Sequence, residues 1–223
     1  YRTVPESAAT RAFAESERRA HVDWEEQDED GYLSRVQAGW GGLGPTPIQR
    51  SEMLAWEPAD ALPRINEAFE NPTGFDSAQA LLDTIRQAAV TNSGWGIGLF
   101  QVAATGDPVS RRVAEAALWG LREAEVPAEV RLKLLGRITA MEWGQDLIRA
   151  LAALLDKWSD DLGDAAAAEL LDGLERAADI IFARAATEKP NFEGQGWFES
   201  AINHPAGTAA QVWWRAANAR DRN

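Results

Sequence analysis

With 223 residues, 45% hydrophobic and 26% charged, the chain has the make-up of a globular protein with a substantial core, which excludes a disordered polymer. Its net charge of −13 and pI near 4.6 repel phosphate backbones and anionic lipid, whose affinity for proteins comes from lysine and arginine displacing counterions. Cysteine is absent, which excludes disulfides, a thiolate nucleophile and thiolate metal sites and fits a reducing cytoplasm.

Apolar runs are short. "LIRALAALL" contains an arginine, and no run reaches the roughly 18–20 residues that a membrane span needs. The opening on Tyr1 shows no signal-peptide pattern, so the expectation is a domain cut from the middle or end of a longer protein.

Residues 1–45 read as an irregular acidic entry segment: a polar helix around 6–20, the run "WEEQDEDGY", and the glycine-rich "GWGGLGP". Within it, "EEQDEDGYL" approaches a calcium loop. Setting Gly31 at the turn puts Glu26, Asp28 and Asp30 at the first three ligand positions and Leu33 at the apolar one. Aspartate is required at the first position, however, and Gln37 stands where a bidentate glutamate must close the cage. A solvated acidic loop is the better reading, with no metal and no cofactor.

From residue 46 to 223 helical periodicity dominates, and no stretch alternates with period two. Thr46–Pro47 reads as an N-cap followed by a first-turn proline, with Gln49 as capping-box partner. "SGWGIGLF" carries Gly94, Gly96 and Gly98 without a preceding strand or a following lysine, so a helix start or close-packing turn outweighs a phosphate loop. Asp107–Pro108 is a second cap, and the helix after it aligns Val109, Val113, Ala117, Gly120, Leu121 and Ala124.

"PAEVRLKLLGRITAM" aligns Val130, Leu134, Ile138 and Met141. "QDLIRALAALLDKW" aligns Leu147, Ile148, Leu151, Leu154, Leu155 and Trp158. Gly163–Asp164 closes that helix and caps the next, where Leu170, Leu171, Leu174, Ala178, Ile181 and Ala185 form the stripe. About ten helices on short connections, packed as antiparallel pairs, make an all-α, irregular HEAT-like helical repeat array.

Ten tryptophans serve a core as readily as a stacking platform, and most are assigned to packing. Carboxylates abundant on solvated faces leave no pair singled out for glycoside hydrolysis. His204, in "SAINHPAGTAAQVWW", precedes a proline and so lies at a helix break, with Asn203 closing one helix and Pro205 opening the next. Downstream, Ala206, Ala210, Trp213, Trp214 and Ala217 read as the buried face of that last helix. Ser200 lies one turn upstream without a motif to make it a nucleophile, so a structural corner is preferred to a reactive site.

The segment "ESAINHPAGTAAQVWWRA" resembles the "INHPAG" stretch of a domain-of-unknown-function family found C-terminal to sirtuin-like domains in large bacterial anti-phage defence proteins. "GPTPIQRSEMLAWEPADALPRINEAF" looks like that family's proline-led short helices. "FDSAQALLDTIRQAAVTNSGWGIGLF", followed by "ALWGLREAEV", is similar to its central helical stretch, giving coverage over residues 40–218. The resemblance implies an effector outside this chain that binds or cleaves NAD, held off, assembled or triggered by the helical region. Asn203, His204, Pro205 and Gly207 carry over as a structural motif, accompanied by Trp213 and Trp214, and no catalytic residue carries over.

The expected function is therefore a non-catalytic sensor, regulatory or assembly domain. Its partner would be a protein or the effector domain of the full-length chain, with no nucleic acid and no membrane involved. The alternative is an all-helical hydrolase with a carboxylate pair in a Trp-lined cleft.

Overall fold

The computed structural model describes residues 46–72, 77–162, 167–185 and 204–222, all within the unit Gly44–Asn223. The entry segment, including Glu26, Asp28 and Asp30, lies outside them, as do Gly163–Asp164, Ser200 and Asn203.

The described residues are all-helical. In chain order they form α1 (Arg50–Met53), α2 (Pro58–Glu70), α3 (Ser77–Thr91), α4 (Ser93–Ala103), α5 (Pro108–Glu123) and α6 (Ala128–Ala140). A single 3₁₀ turn (Gln145–Leu147) leads into α7 (Ile148–Asp160), followed by α8 (Ala168–Ala185) and α9 (Pro205–Arg222). No strand occurs among the described residues.

The helix starts are written in local chemistry. Asp107 Oδ1 accepts the Ser110 amide at 2.8 Å with Pro108 in the first turn, as the sequence indicates. That amide bond is the main reason the Asp107 carboxyl lies below the ordinary carboxylate range. Asn92 caps α4 in the same way, its Oδ1 accepting the Trp95 amide at 3.0 Å. The Thr46–Pro47 cap is a correction. The Thr46 hydroxyl donates to the Ile48 carbonyl at 2.8 Å rather than accepting an amide, and the helix begins later, at Arg50 after Gln49.

Helix α5 is the hub. It packs against α2, α3, α4 and α7, and buries Val113, Ala114, Ala116, Ala117, Leu118 and Leu121, more than the one stripe its periodicity marks. The excess follows from cover on several sides, which small alanines permit. Because α5 is shared, helices two apart in the chain meet: α3 with α5, and α5 with α7. Consecutive pairing holds for α3–α4 and α4–α5, whereas α6 finds its principal partner in α8.

Where α3, α4 and α5 cross, there is no room for side chains. A Cβ on Gly120 would stand 2.7 Å from the Ala89 Cβ and meet the Arg86 carbonyl, and one on Gly96 would stand 2.8 Å from the same Ala89 Cβ. Gly98 is pressed equally onto Pro58, at 2.7 Å from Cγ. Gly96 and Gly98 of "SGWGIGLF" thus serve helix packing, while Gly94 is exposed in the first turn of α4.

The stripe of α7 is buried throughout, from Leu147 to Trp158, as is that of α8 from Leu170 to Ala185. In α6, Leu134 and Ile138 are buried, while Val130 and Met141 are partly so. The last helix, α9, lies on α7 and α8.

Candidate functional site

At the start of α9 the His204 carbonyl accepts the Thr208 amide at 3.0 Å, the first bond of the helix. The imidazole Nδ1 accepts the Ala206 amide at 3.3 Å, so the ring itself caps the helix in front of Pro205. With Nδ1 accepting, the ring proton belongs on Nε2, which is buried without a hydrogen-bond partner. Gly207 falls in the first turn. Pro205 is buried, and a histidine whose lone pair is spent on a backbone amide is poorly placed to act as a base.

The buried face of α9 differs from the one the sequence indicates. Ala209, Val212, Ala216 and Ala219 are buried, whereas Ala210 and Ala217 are exposed and Trp214 is 69% exposed. The two indoles outweigh the alanines in a sequence reading, yet it is the small residues, three and four apart, that let α7 and α8 approach closely. Trp213 sits on the rim, its ring 5.0 Å from Phe182 and its Nε1 donating to the Glu175 carbonyl at 3.4 Å. Trp214 stands two residues beyond Val212, about 200° around the helix, and therefore faces outward.

The other described tryptophans are covered by the chain's own groups. Arg64 lies 4.5 Å from the Trp56 ring, Arg122 5.6 Å from Trp119, Arg131 5.6 Å from Trp158, and Arg184 3.9 Å from Trp143. Trp143 also donates Nε1 to the Ile138 carbonyl at 3.1 Å, and Trp95 donates to the Trp56 carbonyl at 3.0 Å.

Beside Trp214 an open groove of about 570 Å³ runs between α9 and the end of α7, lined by Ser159, Asp160, Leu162, Trp214, Arg215, Asn218 and Asp221. Trp214, Asn218 and Asp221 are at i, i+4 and i+7, one face of α9. Arg215 is fixed to the floor. Its Nη1 donates to the Asp156 carboxylate at 2.6 Å, the Asp156 carbonyl at 3.1 Å and Ser159 Oγ at 3.1 Å. Ser159 is itself buried and donates to the Asp156 carbonyl at 2.8 Å, so the helix C-terminus and its acids hold the guanidinium. Asp160 approaches Arg215 only to 3.8 Å and is 67% exposed.

A second groove, about 230 Å³ between α3 and α5, is lined by Asp83, Arg86, Arg112, Glu115 and Trp119 among others. There Arg86 grips Glu123 across the helices, and this bond above all raises the Arg86 guanidinium beyond its ordinary value. Its charges are largely matched internally.

The sequence reading singled out Trp213 and Trp214 but missed Asp160, Arg215, Asn218 and Asp221. Spacing from Trp214 would have found Asn218 and Asp221, while Asp160 and Ser159 arrive only through folding.

These features define an all-α domain with one open, tryptophan-edged acidic groove on its last helix. Comparison with protein-family models, characterised proteins and solved structures finds no match for the chain. Among the described residues no group of His, Asp or Glu is arranged to hold a metal ion, and no helix is long and apolar enough to cross a membrane.

Proposed function

We propose that this chain is a helical, HEAT-like sensor, regulatory or assembly domain that acts through its surface and carries no chemistry of its own. The resemblance of the "INHPAG" segment supplies the context: a cytoplasmic bacterial anti-phage defence protein whose NAD-binding or NAD-cleaving effector lies outside the chain. One observation supports the mode of action, the 69% exposure of the Trp214 ring on a helix otherwise docked through alanines and valine. An indole left in water at the edge of a groove offers a broad, rigid apolar face with a polar N–H for a partner to cover. A partner that prefers one arrangement of the helices would bias the attached effector by population shift.

The test is an assay of the purified chain with NAD, followed by product analysis, alongside the protein encoded by the complete reading frame that contains it. Expected is no NAD consumption by the chain alone, and a changed rate in the complete protein on Trp214→Ala. NAD consumption by the isolated chain would overturn the reading.

The hydrolase alternative draws on the same groove, since Asp160 and Asp221 are carboxylates beside a tryptophan. An acid as exposed as Asp160 lacks the dry surroundings a general acid needs. Glycan hydrolysis that disappears in both Asp160→Asn and Asp221→Asn would favour it.

A further inference from the structure

We infer that the groove beside Trp214 receives an arginine-rich segment of a protein partner, one guanidinium laid on the exposed indole and the charge of the segment met by Asp221 and Asp160. The inference rests on the reading of the chain as a binding domain and names the chemistry of what it binds.

The molecule states the preference itself. The rings of Trp56, Trp119, Trp143 and Trp158 each carry an arginine of this chain at between 3.9 and 5.6 Å. Trp213 is occupied by Phe182, and Trp95 is buried and hydrogen-bonded. Among the described tryptophans, Trp214 alone has a broad open face with neither cation nor aromatic ring upon it.

The guanidinium of Arg215, which lines the groove, cannot supply one, because three acceptors on Asp156 and Ser159 hold it at the groove floor. Arg220, a turn and a half further along, is likewise engaged with Asp172 and Glu175. What remains open on this face is an indole, the Asn218 amide and the Asp221 carboxylate, with Asp160 on the opposite wall.

Charge points the same way. Asp156, Asp160 and Asp221 set three carboxylates against the guanidinium of Arg215, on a chain of net charge −13. A cation entering the groove gains from both the ring face and the carboxylates. A neutral ligand such as a sugar gains nothing from the excess charge. Arginine suits the site better than lysine, because a planar guanidinium stacks on an indole while its edge still donates to a carboxylate. Trp214 and Asp221 are seven residues apart on one helix, about 10 Å along its axis, so a short extended segment reaches both.

The experiment is a calorimetric titration of the chain with blocked tetra-arginine, compared with blocked tetra-lysine and with maltotetraose. Tetra-arginine is expected to bind more tightly than tetra-lysine, and maltotetraose not at all. Trp214→Ala, which leaves the charge unchanged, should weaken tetra-arginine binding at least about fivefold. Asp221→Asn should weaken it too, while Glu129→Gln, an exposed acid on α6, should leave it unchanged. If Trp214→Ala fails to fold, the contrast between Asp221→Asn and Glu129→Gln carries the decision.

Equal loss in those two variants would mean diffuse attraction to an acidic protein and would overturn the inference. So would equal binding by Trp214→Ala, equal binding of tetra-lysine, or Trp214-dependent binding of maltotetraose in place of the peptide. None of these results would make the isolated chain consume NAD, so the regulatory reading stands or falls by its own assay.

Discussion

Trp143 and Trp214 are the same residue placed in opposite circumstances. Trp143 is 5% exposed, hydrogen-bonded through Nε1 to the Ile138 carbonyl, and covered on one face by Arg184, which also donates to the Trp143 carbonyl at 2.9 Å. Trp214 is 69% exposed, flanked by an arginine that turns away to bond Asp156. Every neighbour of the first makes sense as fold, since apolar area leaves water and each polar atom is matched. The neighbours of the second are arranged around open space. The core and the candidate site are thus distinguished by what surrounds the tryptophan.

Substitutions can sharpen or break that contrast. The largest effect belongs to Trp143→Ala, which opens a cavity and strips the surface beneath Arg184. A loss of about 3–5 kcal/mol in urea unfolding is expected. Next comes Gly120→Ala, whose methyl would collide with Ala89 and the Arg86 backbone at the crossing of α3 and α5. Helices held that closely give way reluctantly, so about 1–3 kcal/mol should be lost, and no measurable change would mean the crossing is looser than it stands.

Removing the α4 cap with Asn92→Ala should cost about 1 kcal/mol, read as a lowered denaturant midpoint with an unchanged slope. A smaller and pH-dependent effect attaches to Asp107. Its folded-state carboxyl lies below the ordinary range, so its contribution is present above that range and is lost as the pH falls through the folded value. The gap in melting temperature between the wild type and Asp107→Asn should therefore narrow on acidification, and a gap that widens would contradict the cap.

Much of this fold is legible in the sequence because helix stripes are local. The stripes marked on α7 (Leu147 to Trp158) and α8 (Leu170 to Ala185) repeat at helical spacing and are buried, and Asp107–Pro108 announces a helix start within two residues. The last helix is misread for a physical reason. Size suggests that Trp213 and Trp214 drive its docking, while close approach depends on Ala209, Val212, Ala216 and Ala219, which are individually inconspicuous. The start of the last helix at Pro205 is readable from the proline, but the use of the His204 Nδ1 as the cap is not, since asparagine, serine or aspartate usually fills that role. The groove is still less legible. Asp160 and Trp214 are far apart in the chain and meet only because α9 returns to the end of α7.

The most direct measurement is the equilibrium unfolding of Trp214→Ala, the smallest effect expected on stability. A ring that is surface for a partner contributes little to the fold, so the free energy of unfolding should stay within about 0.5 kcal/mol of the wild type. A loss of about 3 kcal/mol or more, comparable with that of Trp143→Ala, would make Trp214 part of the core and contradict its assignment as the working surface.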